Sequence, residues 1–225
     1  MGIPATINGR SRVTKTGMRR LTIGVIGDAR MERRSKKWKL TVLLGERLVD
    51  EGFRVVSGGH GGLAEALGEG VRRSKKHADG DIITILPGYD PSVADAYSDI
   101  TIATGLDHAR NLLVANSDAV IAVGGGAGTL SEMAFAWALD RLILAYRVGG
   151  WSGRLAGLRI DDRVRYPELR DDKVYPVETA DDVIASLHKL LPKYNRRHDR
   201  IVIRSGSKSS DAGPSERESS GTASL

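Results

Sequence analysis

Five apolar residues in an unbroken run, Ala119-Val120-Ile121-Ala122-Val123, lead straight into Gly124-Gly125-Gly126-Ala127-Gly128. A strand with one wet face alternates apolar and polar residues, whereas a strand with no polar position has to be covered on both sides. That requirement favours a parallel sheet between two helical layers, because the crossovers of βαβ units supply the cover. Further strand-length runs recur at Leu21–Ile26, Arg54–Ser57, Ile82–Leu86, Ile100–Ala103 and Leu142–Ala145. Segments with helical spacing lie between several of them. In Trp38–Glu51 the residues Leu40, Leu43, Leu44 and Leu48 share one helical stripe, and Leu63–Arg73, Asp107–Ser117, Thr129–Asp140 and Ala180–Leu191 read alike. The sequence predicts an α/β chain, a Rossmann-like doubly wound, mainly parallel sheet in a single domain.

That domain is predicted over 19–192. Residues 1–18 read as a disordered basic extension, and 193–225, rich in Ser, Gly and charge beyond residue 205, as a largely disordered tail. The formal net charge of +6 invites a nucleic-acid reading. Its distribution argues against one: +5 falls in residues 1–20 and +3 in 193–225, which leaves 21–192 at −2. No cysteine is present, which excludes disulfides and thiolate metal sites and fits a reducing compartment. No apolar run approaches the ~20 residues of a membrane span, nor does the N-terminus carry the apolar stretch of a signal peptide. A cytoplasmic protein without a membrane segment is the expectation.

Two glycine-rich turns each join a strand to a helix. The first is Ser57-Gly58-Gly59-His60-Gly61-Gly62, the second Gly124-Gly125-Gly126-Ala127-Gly128-Thr129. Glycine lets the backbone approach a ligand closely, and the helix that follows offers unpaired N–H groups and the positive end of its dipole. In an open parallel sheet such turns gather at the carboxyl ends of the strands, where ligands bind. The pair predicts a site for a phosphate-bearing, nucleotide-type anion. Tight chain connection is the alternative use of such glycines. The second turn lacks the Lys of a P-loop, which argues against triphosphate hydrolysis. The first has Ala64 at the third fingerprint position, and Leu86-Pro87-Gly88 brings no ribose-binding acid, which argues against NAD.

Four separated stretches carry a resemblance: Gly58-Gly59-His60-Gly61-Gly62-Leu63-Ala64-Glu65-Ala66, Leu86-Pro87-Gly88-Tyr89-Asp90, Thr104-Gly105-Leu106 with Ala109-Arg110-Asn111, and Gly124 to Glu132. In order and over about residues 20–145 they resemble the molybdenum-cofactor carrier proteins and their relatives, once labelled lysine decarboxylases. That group is similar in turn to the LOG proteins, phosphoribohydrolases of nucleoside 5′-monophosphates. The resemblance implies a Rossmann-like fold, a homodimer or higher homo-oligomer and an anionic small-molecule ligand. It implies no required cofactor; the bound ligand would be the molybdenum cofactor or a nucleoside monophosphate. In the LOG pattern PGGxGTxxE the Glu works with an Arg on the preceding helix. Glu132 matches the first and Arg110 the second, and these two are the candidate catalytic residues if the chain is an enzyme. Gly124 stands where the pattern has proline, and Arg110 and Glu132 are 22 residues apart, one fewer than the pattern expects. Both departures favour binding over hydrolysis.

The candidate ligand-binding residues are therefore Gly58, Gly59, His60, Gly61, Gly62, Arg110, Gly124, Gly125, Gly126, Ala127, Gly128 and Thr129. Glu132 also fits a capping box, Thr129-Leu130-Ser131-Glu132, in which it would hold the helix start rather than a substrate. Arg110 suits either solvent or a phosphate, whose oxygens its planar fork matches. His60 sits where it would meet a ligand, or merely completes the turn. His77, Asp107 and His108 show no ligand spacing, so no metal site is expected. Phe135 and Trp137 read as core or subunit interface.

Overall fold

A computed structural model describes residues 13–14, 17–59 and 61–196. Among them, Val13–Thr14 (β1) pairs antiparallel with Gly17–Met18 (β2), within the stretch predicted as disordered. The remaining strands form one parallel sheet in the order β6-β5-β4-β3-β7-β8-β9. They are β3 Thr22–Gly27, β4 Arg54–Ser57, β5 Ile82–Leu86, β6 Ile100–Ala103, β7 Ala119–Val123, β8 Leu142–Tyr146 and β9 Tyr175–Val177. The helices are α1 Lys36–Asp50, α2 Gly61–Arg73, α3 Asn111–Ala115, α4 Ala127–Ala138, α5 Trp151–Leu155 and α6 Ala180–Leu190.

Starting from β3, the chain adds β4, β5 and β6 outward on one side, then returns and adds β7, β8 and β9 on the other. The fold is thus a Rossmann-like α/β sheet wound in two directions, as the apolar runs predict. The winding reverses between β3 and β7, where Gly27 pairs with Val123. The apolar run of β7 is fully buried because the two-residue period sends its side chains both ways. Ile121 and Val123 join Ile23 and Val25 in a core with Leu44, Leu48, Leu67 and Leu187 of α1, α2 and α6. Val120 and Ala122 join Ile26 in a second core with Val114, Met133 and Trp137 of α3 and α4.

The packed chain reaches beyond residue 192. Tyr194 is buried, and its hydroxyl donates to Asp172 (2.5 Å), which also receives two bonds from the buried guanidinium of Arg165. At the other end, Arg19 and Arg20 are part of the fold. Arg19 forms a two-point bond with the buried Asp118, and Arg20 holds the buried Asp81 at 2.5 Å. Among the described residues, no helix is long and apolar enough to cross a membrane, and no group of three or more His, Asp and Glu is placed to hold a metal ion.

Candidate functional site

At the reversal point the loops after β3, β4, β5 and β7 converge with the 3-10 turn Asp107–Arg110 around a cavity of about 360 Å³. A sheet that splits its crossovers in this way leaves a crevice at its carboxyl edge, the usual place for a ligand.

The second glycine turn divides into two halves. Gly124 (φ +71°) donates its N–H to Ser152 Oγ at 2.7 Å, and Gly125 (φ +95°) donates to Asp28 Oδ1 at 2.8 Å. Both are buried, and neither lines the cavity. Proline is impossible at 124 on two counts: its φ is fixed near −65° and it has no N–H. A Cβ there would also run into the ion pair between Lys37 and Asp28, which accounts for the departure from the family pattern. Gly126 and Gly128 form the open half. A Cβ on Gly126 would meet nothing within 4 Å, and one on Gly128 would meet only Asn111 Nδ2 at 3.9 Å. With α4 beginning at Ala127, Leu130 N–H is the one that bonds back to Gly126 C=O. The N–H groups ahead of it in the first turn lack intrahelical acceptors and carry the positive end of the helix dipole toward the cavity.

The helix start overturns the capping-box reading. Gly126, not Thr129, is the N-cap, and it makes no side-chain cap bond. Thr129 lies inside the first turn and donates its hydroxyl to Gly27 C=O at 3.1 Å, tying α4 to β3. Glu132 is thereby freed from capping. Its side chain is 8% exposed, lines the cavity and stands 3.4 Å from Nη1 of Arg110. Burial pushes the Glu132 carboxyl up to about 7, and the nearby guanidinium offsets part of that push. Burial likewise lowers the pKa of Arg110, against the pull of Glu132. Nε of Arg110 is buried with no hydrogen-bond partner among the described residues.

The first turn divides too. Gly58 and Gly59 line the cavity, Gly59 with φ +69°. Gly61 and Gly62 lie off it, pressed against the β3–α1 loop. Gly62 N–H donates to Ala29 C=O (2.8 Å) and Leu63 N–H to Asp28 C=O (3.1 Å), so backbone carbonyls occupy this helix start. His60 lies outside the described residues. Of the other expected residues, Arg110, Gly126, Gly128 and Thr129 line the cavity, and Ala127 lies beside them at the exposed head of α4. Periodicity gave no hint of Asp28, Lys37 and Ser152, which lock the second turn through side-chain contacts distant in sequence. Nor did it mark Asn111, buried in the cavity wall, whose Nδ2 donates to Ser131 Oγ at 2.8 Å. Asp107 and His108 complete the polar lining, Asp107 with a left-handed φ of +48°.

Comparison with known proteins agrees with this architecture. The chain is 37% identical over 120 residues to an uncharacterized protein of Archaeoglobus fulgidus, covering 53% of this chain and 75% of that protein. Among solved structures, it superposes with a TM-score of 0.63 on the molybdenum cofactor binding protein of Rippkaea orientalis, at 28% identity over 78% of this chain and 99% of that one. The Moco carrier protein of Chlamydomonas reinhardtii gives a TM-score of 0.62 at 25% identity, covering 78% and 99%. A family model matches residues 20–182, so the chain belongs to the SLOG cluster4 family.

Proposed function

We propose that this chain is a carrier-type binding protein whose cavity holds a phosphate-bearing, nucleotide-type anion, with the molybdenum cofactor as the leading cargo. One observation carries the reading: the open N-terminus of α4 and the buried side chain of Arg110, whose Nε has no hydrogen-bond partner among the described residues, belong to the wall of one cavity. A buried guanidinium with an unused donor, beside free helix N–H groups, is suited to a phosphate. The N–H groups of residues 126–129 and the fork of Arg110 would take the phosphate; Asp107, His108 and Asn111 are left for the organic part. The names of the Rippkaea and Chlamydomonas neighbours support a molybdenum-cofactor cargo.

Glu132 favours a second reading. A buried carboxyl that titrates near 7 and has no capping task is suited to acid–base work or to stabilising a sugar cation. Hydrolysis of the N-glycosidic bond of a nucleoside 5′-monophosphate is the corresponding activity. Incubating the full chain with AMP separates the two. The carrier reading expects AMP bound without release of adenine, and the molybdenum cofactor in mass spectra of the freshly purified protein. Release of adenine would make the chain a phosphoribohydrolase.

A homodimer or larger homo-oligomer belongs to the same reading. Ile100 and Ile102 of edge strand β6 pair in register with Ile83 and Ile85, which pack in the α3–α4 core. They are 41% and 46% exposed, on the sheet face where α3 leaves Leu112 and Leu113 uncovered. Such an apolar face suits a second copy. The cytoplasm remains the expected setting.

A further inference from the structure

Residues 21–192 sum to −2, yet positive charge is concentrated in one segment of them. Arg30, Arg33, Arg34, Lys36, Lys37 and Lys39 fall in ten residues that hold one acid, Glu32. The first turn of α1 contains no acidic residue. Cations at a helix N-terminus oppose its dipole, so a helix start chosen for stability alone would carry Asp or Glu here. Lys37 is taken up by Asp28, while Arg34 and Lys39 are exposed and have no carboxylate partner among the described residues. Arg34 is also held in a left-handed conformation, φ +65°, seldom adopted by a residue with a side chain.

Arg33, Arg34 and Lys39 edge a groove of about 900 Å³ between α1 and α2, helices that pack on the sheet face opposite α3 and α4, and the groove shares no lining residue with the cavity. Its floor is apolar: Trp38 and Val42 are buried there, and Leu43 is 50% exposed. Glu69, the groove's one acid, is already engaged. It accepts from Trp38 Nε1 at 3.2 Å and pairs with Arg73. We propose that the α1–α2 groove docks an acidic, partly apolar segment of another protein, its carboxylates on Arg33, Arg34 and Lys39 and an apolar side chain on Leu43.

Charge and shape choose this occupant. An isologous contact between two copies through this face would set like charges against each other. Bases of a nucleic acid need a free aromatic face, and the Trp38 ring is buried beneath Arg33, whose guanidinium carbon lies 5.1 Å from the ring centroid. A membrane surface needs a broad apolar stripe, and Leu43 alone of the lining apolar residues is exposed. The proposal is independent of what the cavity holds, although the loop that presents Arg33 and Arg34 also supplies Ala29 to the cavity wall.

The test uses the full chain and a fluorescent peptide of alternating Glu and Leu. Binding is expected, weakening with added salt, and absent for the same peptide with Gln in place of Glu. Arg34→Glu combined with Lys39→Glu should lower affinity roughly tenfold or more, and Leu43→Asp should lower it too. Far-UV circular dichroism and AMP binding should stay as in the native chain, because these side chains lie on the surface away from the cavity. Four outcomes overturn the proposal: no peptide binding at low salt, unchanged affinity in the charge-reversed variant, tighter binding of single-stranded DNA or anionic vesicles than of the peptide, or dissociation of an oligomer on charge reversal.

Discussion

The guanidinium of Arg110 rests against Cα of Gly58, so close that a Cβ at residue 58 would stand 2.6 Å from Nη2 and 2.7 Å from Cζ. With Glu132 at 3.4 Å from Nη1, the arginine is held between a bare stretch of backbone and a carboxylate. Gly58 therefore leaves room for the Arg110 guanidinium that a side chain would take. Gly58→Ala should leave the fold intact, because the group that has to yield is the far end of a flexible side chain. It should weaken AMP binding by about tenfold, as expected when a charge-assisted bond is misplaced. Calorimetric titration with AMP, alongside a thermal melt, measures both effects.

The two halves of the second turn should respond oppositely to added bulk. Gly126→Val and Gly128→Val place their side chains in open space, so the protein should stay folded while AMP binding is lost. Gly124→Val meets the Asp28–Lys37 pair and demands a positive φ from a β-branched residue. Strain at such a position costs about 1–3 kcal/mol before the collision is added. Its melting temperature should fall by many degrees, with the Gly126 and Gly128 variants close to the native value.

Burial of Glu132 should be visible in the stability of the protein against pH. Its carboxyl is raised from an ordinary 4.5 to about 7, so between those values the folded state binds a proton that the unfolded state has released. Stability attributable to this group is thus fully present below about pH 4.5 and lost as pH rises through 7. The loss is on the order of 3 kcal/mol. Glu132→Gln removes the titration while Arg110 stays charged throughout. The difference in melting temperature, variant minus native, should rise from pH 5 to pH 8. A difference independent of pH would mean that Glu132 is ionised over the whole range.

The sheet was readable because its evidence is local. Every strand from β3 to β8 holds a short stretch of apolar and β-branched residues that are contiguous in sequence. β9 was not readable, since Tyr175-Pro176-Val177 is three residues long with a proline at its centre. That is acceptable only because the strand lies at the sheet's edge, where Pro176 needs to pair through one side alone. The short α5 is legible only through its tertiary contacts, Trp151 N–H and Ser152 N–H to Gly125 and Gly124 carbonyls. At the site, Gly126, Gly128 and Arg110 followed from the glycine pattern and the family motif. Asp28 and Ser152 did not, because a side chain that fixes a turn from 97 or 28 residues away leaves no periodic trace. The capping box misled for a related reason: its spacing was right, but Thr129 spends its hydroxyl on Gly27 and the helix starts two residues earlier.

Arg110 and Glu132 together separate binding from chemistry. In a carrier, Arg110→Ala removes a charge-assisted phosphate contact worth about 1.5–3 kcal/mol, and AMP affinity should fall roughly ten- to a hundredfold. Glu132→Gln should hold or improve that affinity. It keeps the volume of the side chain, releases Nη1 from Glu132 and removes a like charge beside the phosphate. The improvement should grow as pH rises past 7, where the native carboxyl is ionised. In a phosphoribohydrolase the same Glu132→Gln change leaves AMP bound but takes away the carboxylate facing the developing sugar cation. Turnover would then drop by about a hundredfold or more, as it does when a group acting mainly in the transition state is removed. The carrier outcome is expected: native protein that binds AMP and yields no adenine, a Glu132→Gln variant that binds at least as well, and an Arg110→Ala variant that binds weakly. Adenine release by the native chain, lost in Glu132→Gln with AMP still bound, would assign the cavity to catalysis instead.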